Sequence, residues 1–378
     1  QIAGSTDLDI AIRGQGATLQ EFLDHTTLSI NAGPSSLMFG NEGNSEKMVV
    51  GIRQATVNAA PGGAVKARLK GKFREKAIDV GLVTGSLTQL TTPDKPWPIS
   101  LLARSDDAAL TIKGGMRSEA EGMRVALAVS LKGLQLNRLD PDLPPSGPYV
   151  FRAQLLNSGN QYFLKDLKGQ VGQSDVTGFV SLDMEKDIPQ LSAAFSSSYI
   201  DMADFSGPGD ATSSDAAPDD ILIPVDSLQA LDADIKWEIK RIRAETVQLR
   251  DLNLDGNLKN GRLAFTTLKG NLFDRKHTYA EFQGELTLYT TADIPTLSGK
   301  TSVHNLDYGH LLQRVGSHAQ LVGVANLDAH FSSKGNTLFT MFTQPTFKIK
   351  TQDLRIPLHD QQDERETLLN VTQAALSS

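Results

Sequence analysis

Apolar and polar residues alternate along most of this chain. Leu8, Ile10 and Ile12 are set against Asp7, Asp9 and Arg13, and Val125, Leu127, Val129 and Leu131 against Ala126, Ala128, Ser130 and Lys132. The longest stretch opposes Leu231, Ala233, Ile235, Trp237 and Ile239 to Asp232, Asp234, Lys236, Glu238 and Lys240. The device returns at Phe282, Gly284, Leu286 and Leu288, and again at Leu327, Ala329 and Phe331. A period of two sends alternate side chains to opposite faces of a strand, so each stretch predicts a strand with one apolar side and one wet side. Turn residues separate the runs: Gly62-Gly63, Asp255-Gly256, the NSGN of residues 157–160, and Asn260-Gly261 between Leu258 and Leu263. The last is what a two-residue hairpin needs, because both central residues take positive φ. Helical spacing is rare. Leu19, Phe22 and Leu23 predict a short helix within residues 17–25, and residues 361–378 form a tail with room for another. The pattern predicts an all-β chain with short helices. Alternation by itself favours a closed sandwich or barrel, in which the apolar faces are simply core.

Residues 206–220 (SGPGDATSSDAAPDD) hold no large apolar side chain. Such a segment cannot bury enough surface to offset its ordering entropy, which predicts a disordered linker between β-rich segments at 1–205 and 221–360. The chain also echoes itself. Asp187-Ile188-Pro189 followed by Leu191-Ser192 returns as Asp293-Ile294-Pro295 followed by Leu297-Ser298, and Leu8-Asp9 with Gly16, Thr18 and Leu19 returns as Leu327-Asp328 with Gly335, Thr337 and Leu338. The unequal spacings describe a large reused unit of strand, turn and short helix rather than a short-period solenoid.

Composition narrows the function classes. Among 378 residues, 37 Lys and Arg face 44 Asp and Glu, for a net charge of −7. No basic surplus exists to neutralise phosphates, so nucleic acid is not an expected partner. The absence of cysteine excludes a disulfide scaffold, a thiolate metal site and a Cys nucleophile, and it fits an oxidising compartment without requiring one. No apolar run reaches the roughly 18–20 residues of a spanning helix. The opening Gln1-Ile2-Ala3-Gly4 is not a secretory leader, and the expectation is a piece of a longer protein whose membrane anchor lies elsewhere.

Catalytic patterns are missing where chemistry would need them. The seven histidines (His25, His277, His304, His310, His318, His330 and His359) form no metal-ligand pair at helical or strand spacing, and no metal or other cofactor is expected. Gly14-Gln15-Gly16 lacks the third glycine and the βαβ setting of a dinucleotide loop, leaving a strand-to-helix turn. Ser174-Asp175 has no histidine beside it, and reads as turn chemistry. The acidic pairs Asp7/Asp9 and Asp232/Asp234 and the basic group Lys236, Lys240, Arg241 and Arg243 read as solvated outer faces. The chain is expected not to be an enzyme.

Residues 7–23, 90–102, 133–149, 171–183 and 231–270, taken in that order, resemble segments of the AsmA family of bacterial periplasmic proteins. DLDIAIRGQGATLQEFL (7–23) is similar to the family's strand-then-helix hallmark, with Thr18 where Ser is usual. LTTPDKPWPISLL (90–102) resembles its Pro-rich entry to a long strand. GLQLNRLDPDLPPSGPY (133–149) and VGQSDVTGFVSLD (171–183) are similar to its next two segments in order. Residues 231–270 are the most specific match, although the usual glycines near Glu245 and Thr246 are missing. The resemblance runs to about residue 355 and is carried by the order of the segments. It implies a long, curved, U-shaped antiparallel β-groove of the bridge-like lipid-transfer type. It also implies a periplasmic location, an inner-membrane anchor outside this chain, and a role in phospholipid traffic or outer-membrane assembly in a Gram-negative cell. It carries no catalytic residue.

With that fold expected, the inward side of the clearest strands is expected to line the groove: Ile10, Ile12, Val125, Leu127, Val129, Leu131, Ile235, Trp237, Ile239, Phe282, Leu286 and Leu288. The expected partners are phospholipid, a membrane through the anchor, and outer-membrane or periplasmic proteins. Two other readings stand beside it. One is a scaffold that docks outer-membrane proteins through sheet edges. The other, a carbohydrate-active β-protein, would need aromatic platforms that Trp97 and Trp237 alone would have to supply.

Overall fold

The computed structural model describes residues 2–3, 7–39, 48–73, 76–92, 95–119, 122–139, 143, 145–205, 223, 225–244, 248–274, 277–307, 323–337, 340–341 and 346–355. The expected linker at 206–220 and the expected tail at 361–378 lie outside these residues. Strands in the first half are β1 (Ile2–Ala3), β2 (Leu8–Arg13), β3 (Thr27–Ala32), β4 (Ser35–Phe39), β5 (Met48–Ala59), β6 (Ala64–Phe73), β7 (Lys76–Ser86), β8 (Trp97–Ser105), β9 (Ala108–Glu119), β10 (Gly122–Gly133) and β11 (Tyr149–Ser158). The rest are β12 (Gln161–Val171), β13 (Ser174–Asp183), β14 (Gln190–Ser197), β15 (Ile200–Asp201), β16 (Asp232–Arg243), β17 (Gln248–Lys259), β18 (Arg262–Asp274), β19 (His277–Tyr289), β20 (Thr296–Asp307), β21 (Val324–Lys334) and β22 (Thr346–Arg355). Helices are short: α1 (Leu19–Asp24), α2 (Leu87–Leu90), α3 (Leu136–Leu139), α4 (Val225–Gln229) and a 3-10 turn at Met202–Phe205.

All the strands join one open, curled sheet, and it is an almost unbroken antiparallel meander. The fold is thus the all-β groove that the family resemblance implies. β2 and β1 pair end to end with β3 and β4, which in turn share one edge of β5. From β5 onward each strand pairs with the next as far as β14. β14 and β15 then run parallel to β16, and the antiparallel meander resumes from β16 to β22. β2 and β22 are not paired with each other among the described residues, so the sheet does not close into a barrel. At about 4.8 Å between neighbours, the row of strands is roughly 85 Å long, and a twelve-residue strand spans about 40 Å across it.

An alternating meander has two rims, one at each end of its strands. The connections carrying α1, α2 and α4 lie on the near rim, with the Asn260-Gly261 hairpin. Those carrying α3 and the 3-10 turn lie on the far rim. The single parallel pair follows from this layout. The chain leaves β15 at the far rim and enters β16 from the near rim through α4, which restarts the meander in the same direction.

Local chemistry fixes these connections. Asn260 (φ 50°) and Gly261 (φ 72°) are both left-handed, as the hairpin between β17 and β18 requires. A Cβ at Gly261 would stand 2.8 Å from Thr290 Oγ1 and 3.0 Å from Gln229 Cγ. Gly261→Ala is therefore expected to destabilise by about 1–2 kcal/mol, visible as a lower urea midpoint at unchanged slope. An unchanged midpoint would mean that the turn relaxes freely.

The echoed segments occupy equivalent places. Thr18 Oγ1 accepts the Glu21 N–H at 3.2 Å after β2, and Thr337 Oγ1 accepts the Thr340 N–H at 3.2 Å after β21, both on the near rim. Thr18 is the N-cap of α1, satisfying a first-turn donor, and Thr337 makes the corresponding bond. Asp187-Ile188-Pro189 and Asp293-Ile294-Pro295 lead into β14 and β20 on that same rim, where the Pro189 and Pro295 carbonyls accept from Asp232 N–H (2.9 Å) and Gly335 N–H (3.1 Å).

Candidate functional site

Register carries one apolar face through the sheet. On β10, Leu127, Val129 and Leu131 stand opposite Leu155, Ala153 and Phe151 of β11, and Val129 and Leu131 also oppose Ile112 and Leu110 of β9. Toward the start of the chain the row through Val129 and Ile112 continues as Leu101, Leu82, Ala67, Val57, Ile30 and Ile10. Toward the end, the row through Leu155 continues as Leu164, Val180, Ala193, Ile235, Gly256, Phe265 and Leu286. Bulges at β12 and β18 reset the register without flipping the face. The opposite face carries Lys66, Arg68 and Lys70 on β6 and Asp234, Lys236, Glu238 and Lys240 on β16, all exposed. Its ion pairs, such as Arg68–Asp79 at 2.6 Å, are surface pairs.

The twelve expected lining residues all fall on this one face, but they do not share one environment. Val125, Leu127, Val129, Leu131, Ile235, Trp237 and Phe282 are half-buried, while Ile10 and Ile12 on edge strand β2 are 52% and 58% exposed. Ile239 is only 4% exposed, in a cluster with Ile200 and Leu252 that also takes Trp237, Phe282 and Phe205 of the far-rim 3-10 turn. Leu286 and Leu288 pack with Ile223, Leu297, Met341 and with Val225 and Leu228 of α4 on the near rim. These positions are roofed by rim elements rather than open. Among the described residues before Ile200, by contrast, no Leu, Ile, Phe or Met is fully buried; Ala59, Tyr149, Ala153, Val171 and Ala193 are the buried apolar residues there. Among the described residues, the first half of the sheet has an apolar face and no fully buried Leu, Ile, Phe or Met beneath it.

Around β15 the polar groups of the far rim are satisfied locally. Asp201 (3% exposed) takes the Arg243 guanidinium at 2.5 Å, the Tyr199 hydroxyl at 3.2 Å and the Ala203 N–H at 3.2 Å. Ser174 Oγ donates to Asp204 Oδ2 at 2.8 Å and accepts the Asp201 N–H at 2.9 Å, so it buttresses the end of β15. Burial pushes the Tyr199 phenol up, with Asp201 adding to the shift. Trp237 Nε1 donates to Ser197 Oγ at 3.0 Å, which leaves its ring on the apolar face, edge-on to Phe195.

Sequence reading missed α3 and what it covers. Lys76 Nζ (2.9 Å) and Arg138 Nη1 (2.7 Å) both donate to the Asp107 carboxylate, fastening α3 across β7 to β10 on the far rim. Beneath it lies a cavity of about 350 Å³ floored by Phe73, Ile78, Val80, Ala103, Leu110 and Leu131. Residues so far apart in the chain leave no local signal. The hydrogen bond from Lys76, then that from Arg138, holds the Asp107 carboxyl below the usual carboxylate range. A carboxyl whose pKa falls on folding contributes stability above its unfolded pKa, and that contribution is lost as pH falls through the folded value. Amide exchange in α3, corrected for intrinsic rates, is therefore expected to speed below about pH 4. Unchanged protection there would mean that apolar contacts alone hold the helix.

No family model, curated protein or solved structure matches the chain. Among the described residues no group of His, Asp and Glu is placed to hold a metal ion, and no helix is long and apolar enough to cross a membrane.

Proposed function

We propose that this chain is a non-enzymatic lipid-transfer segment that shelters phospholipid acyl chains on its apolar sheet face, as its resemblance to the AsmA family implies. The observation that carries this reading is the unbroken apolar face on a sheet that does not close, with no large aliphatic fully buried in its first half among the described residues. Exposed methylenes cost about 0.8 kcal/mol each in water, so a ~16-carbon chain carried across it faces a penalty on the order of 12 kcal/mol. A continuous row of Leu, Ile, Val and Phe offsets that penalty, while an open side leaves the charged headgroup hydrated. Contiguous apolar surface of this extent calls for a partner of its own kind. The same reading places the chain in the periplasm of a Gram-negative cell, held to the inner membrane by an anchor elsewhere, in phospholipid traffic toward the outer membrane.

The test is native mass spectrometry with lipid extraction on protein purified without detergent. Phospholipid at reproducible stoichiometry supports the reading. A lipid-free, monodisperse protein removes it in favour of a protein-docking scaffold. One feature favours that second reading: edge strand β2 presents Leu8, Ile10 and Ile12 at 52%, 52% and 58% exposure, a template for an added strand. Saturable binding of an extended outer-membrane-protein strand to lipid-free protein would establish it.

A further inference from the structure

We propose that the cavity beneath α3 is a binding site for one single-chain anionic amphiphile, an alkyl carboxylate or alkyl phosphate, with its tail on the cavity floor and its head at Lys76 and Arg138. The proposal rests on the lipid reading of the apolar face, and it names one place and one ligand class on that face. The cavity's volume of about 350 Å³ is at the small end of ligand sites, which run from about 300 to 1,000 Å³. It accommodates one chain rather than two. The floor is aliphatic and aromatic, and no carboxylate lines it.

The mouth is cationic. Lys76 and Arg138 share the single Asp107 carboxylate, so two cations meet one anion there. Their side chains remain 37% and 50% exposed, against 17% for Asp107, which leaves both cations N–H donors for an incoming head. Cations thus outnumber carboxylates two to one at this mouth, in a chain whose net charge is −7. Asn137 lines the same cavity with a buried Oδ1 that has no hydrogen-bond partner. Half a turn of that amide presents its N–H₂ to the same point, a further donor for an anion.

The experiment is isothermal titration of the full chain with dodecanoate, dodecyl phosphate, dodecanol and inorganic phosphate. One dodecanoate or dodecyl phosphate is expected per chain, about tenfold or more tighter than dodecanol, with no saturable binding of inorganic phosphate. Lys76→Gln removes one of the two cations while Arg138 remains, and should weaken dodecanoate and dodecyl phosphate severalfold with dodecanol unchanged. Ala103→Phe fills the floor and should abolish the stoichiometric site for all three amphiphiles, with circular dichroism confirming the fold. Equal binding of dodecanol and dodecanoate, insensitivity to Ala103→Phe, or inorganic phosphate binding as tightly as dodecyl phosphate would each overturn the proposal. Phospholipid loading without these effects leaves the groove reading standing and removes the α3 site. Stoichiometric amphiphile binding to a chain that loads no phospholipid does the reverse.

Discussion

Ile235→Asp is expected to abolish phospholipid loading while leaving the chain folded. Ile235 is half-buried on β16, and its cross-strand neighbours are Ala193 and Gly256, both small. A carboxylate at that point keeps its water when the face is open, so the fold should lose no more than about 1–2 kcal/mol, within the ordinary range for single substitutions. An acyl chain crossing the same point must strip that carboxylate of water, and loading should fall by about tenfold or more. Leu127→Asp, half-buried on β10 between Gly114 and Leu155, should behave alike. Lipid extraction with native mass spectrometry reads the first quantity, and urea unfolding the second. Cooperative unfolding of both variants would mean that the face is a closed core.

Ile239→Asp makes the opposite demand only four residues along the same strand and face. Ile239 is 4% exposed and packs on Ile200 and Leu252 beneath the far-rim 3-10 turn. A carboxylate there has no donor within a hydrocarbon cluster, so the expected destabilisation exceeds about 4 kcal/mol. Ile239→Ala, which only opens a cavity, should cost about 2–4 kcal/mol. Denaturant unfolding of the two variants beside Ile235→Asp compares a roofed position with an open one on a single strand. Equal stability of Ile235→Asp and Ile239→Asp would show that the rim turn does not pack on the sheet.

The contrast between these two isoleucines marks what was legible in the chain. Alternation put Ile235, Trp237 and Ile239 on one side of a strand, and the structure keeps them together because a strand's period is exact along its length. Asn260-Gly261 announced its hairpin through backbone sterics that few other residue pairs satisfy. The strand-to-helix turn around Gly14, Gly16 and Thr18 was legible for the same reason. Whether an inward residue is roofed was not legible. Leu286 beneath α4 and Leu127 on open sheet carry the same pattern, and the roof over Leu286 comes from Val225, some sixty residues away. The α3 cavity is a stronger case, since Lys76, Asp107 and Arg138 each look like ordinary surface charge until three connections of the far rim bring them together.

The sequence by itself determined the all-β character of this protein, the side of each strand that is apolar, the tight turns and the capped helix α1, because each follows from the steric and hydrophobic preferences of residues near one another in the chain. Only the tertiary structure decided that the sheet stays open, that one parallel pair at β14 and β16 restarts the meander, and that rim elements roof some apolar positions and leave others bare. Closure and covering depend on register, bulges and twist accumulated over many strands, and an inward leucine meets the same local preferences whether it faces another sheet, a helix or a lipid.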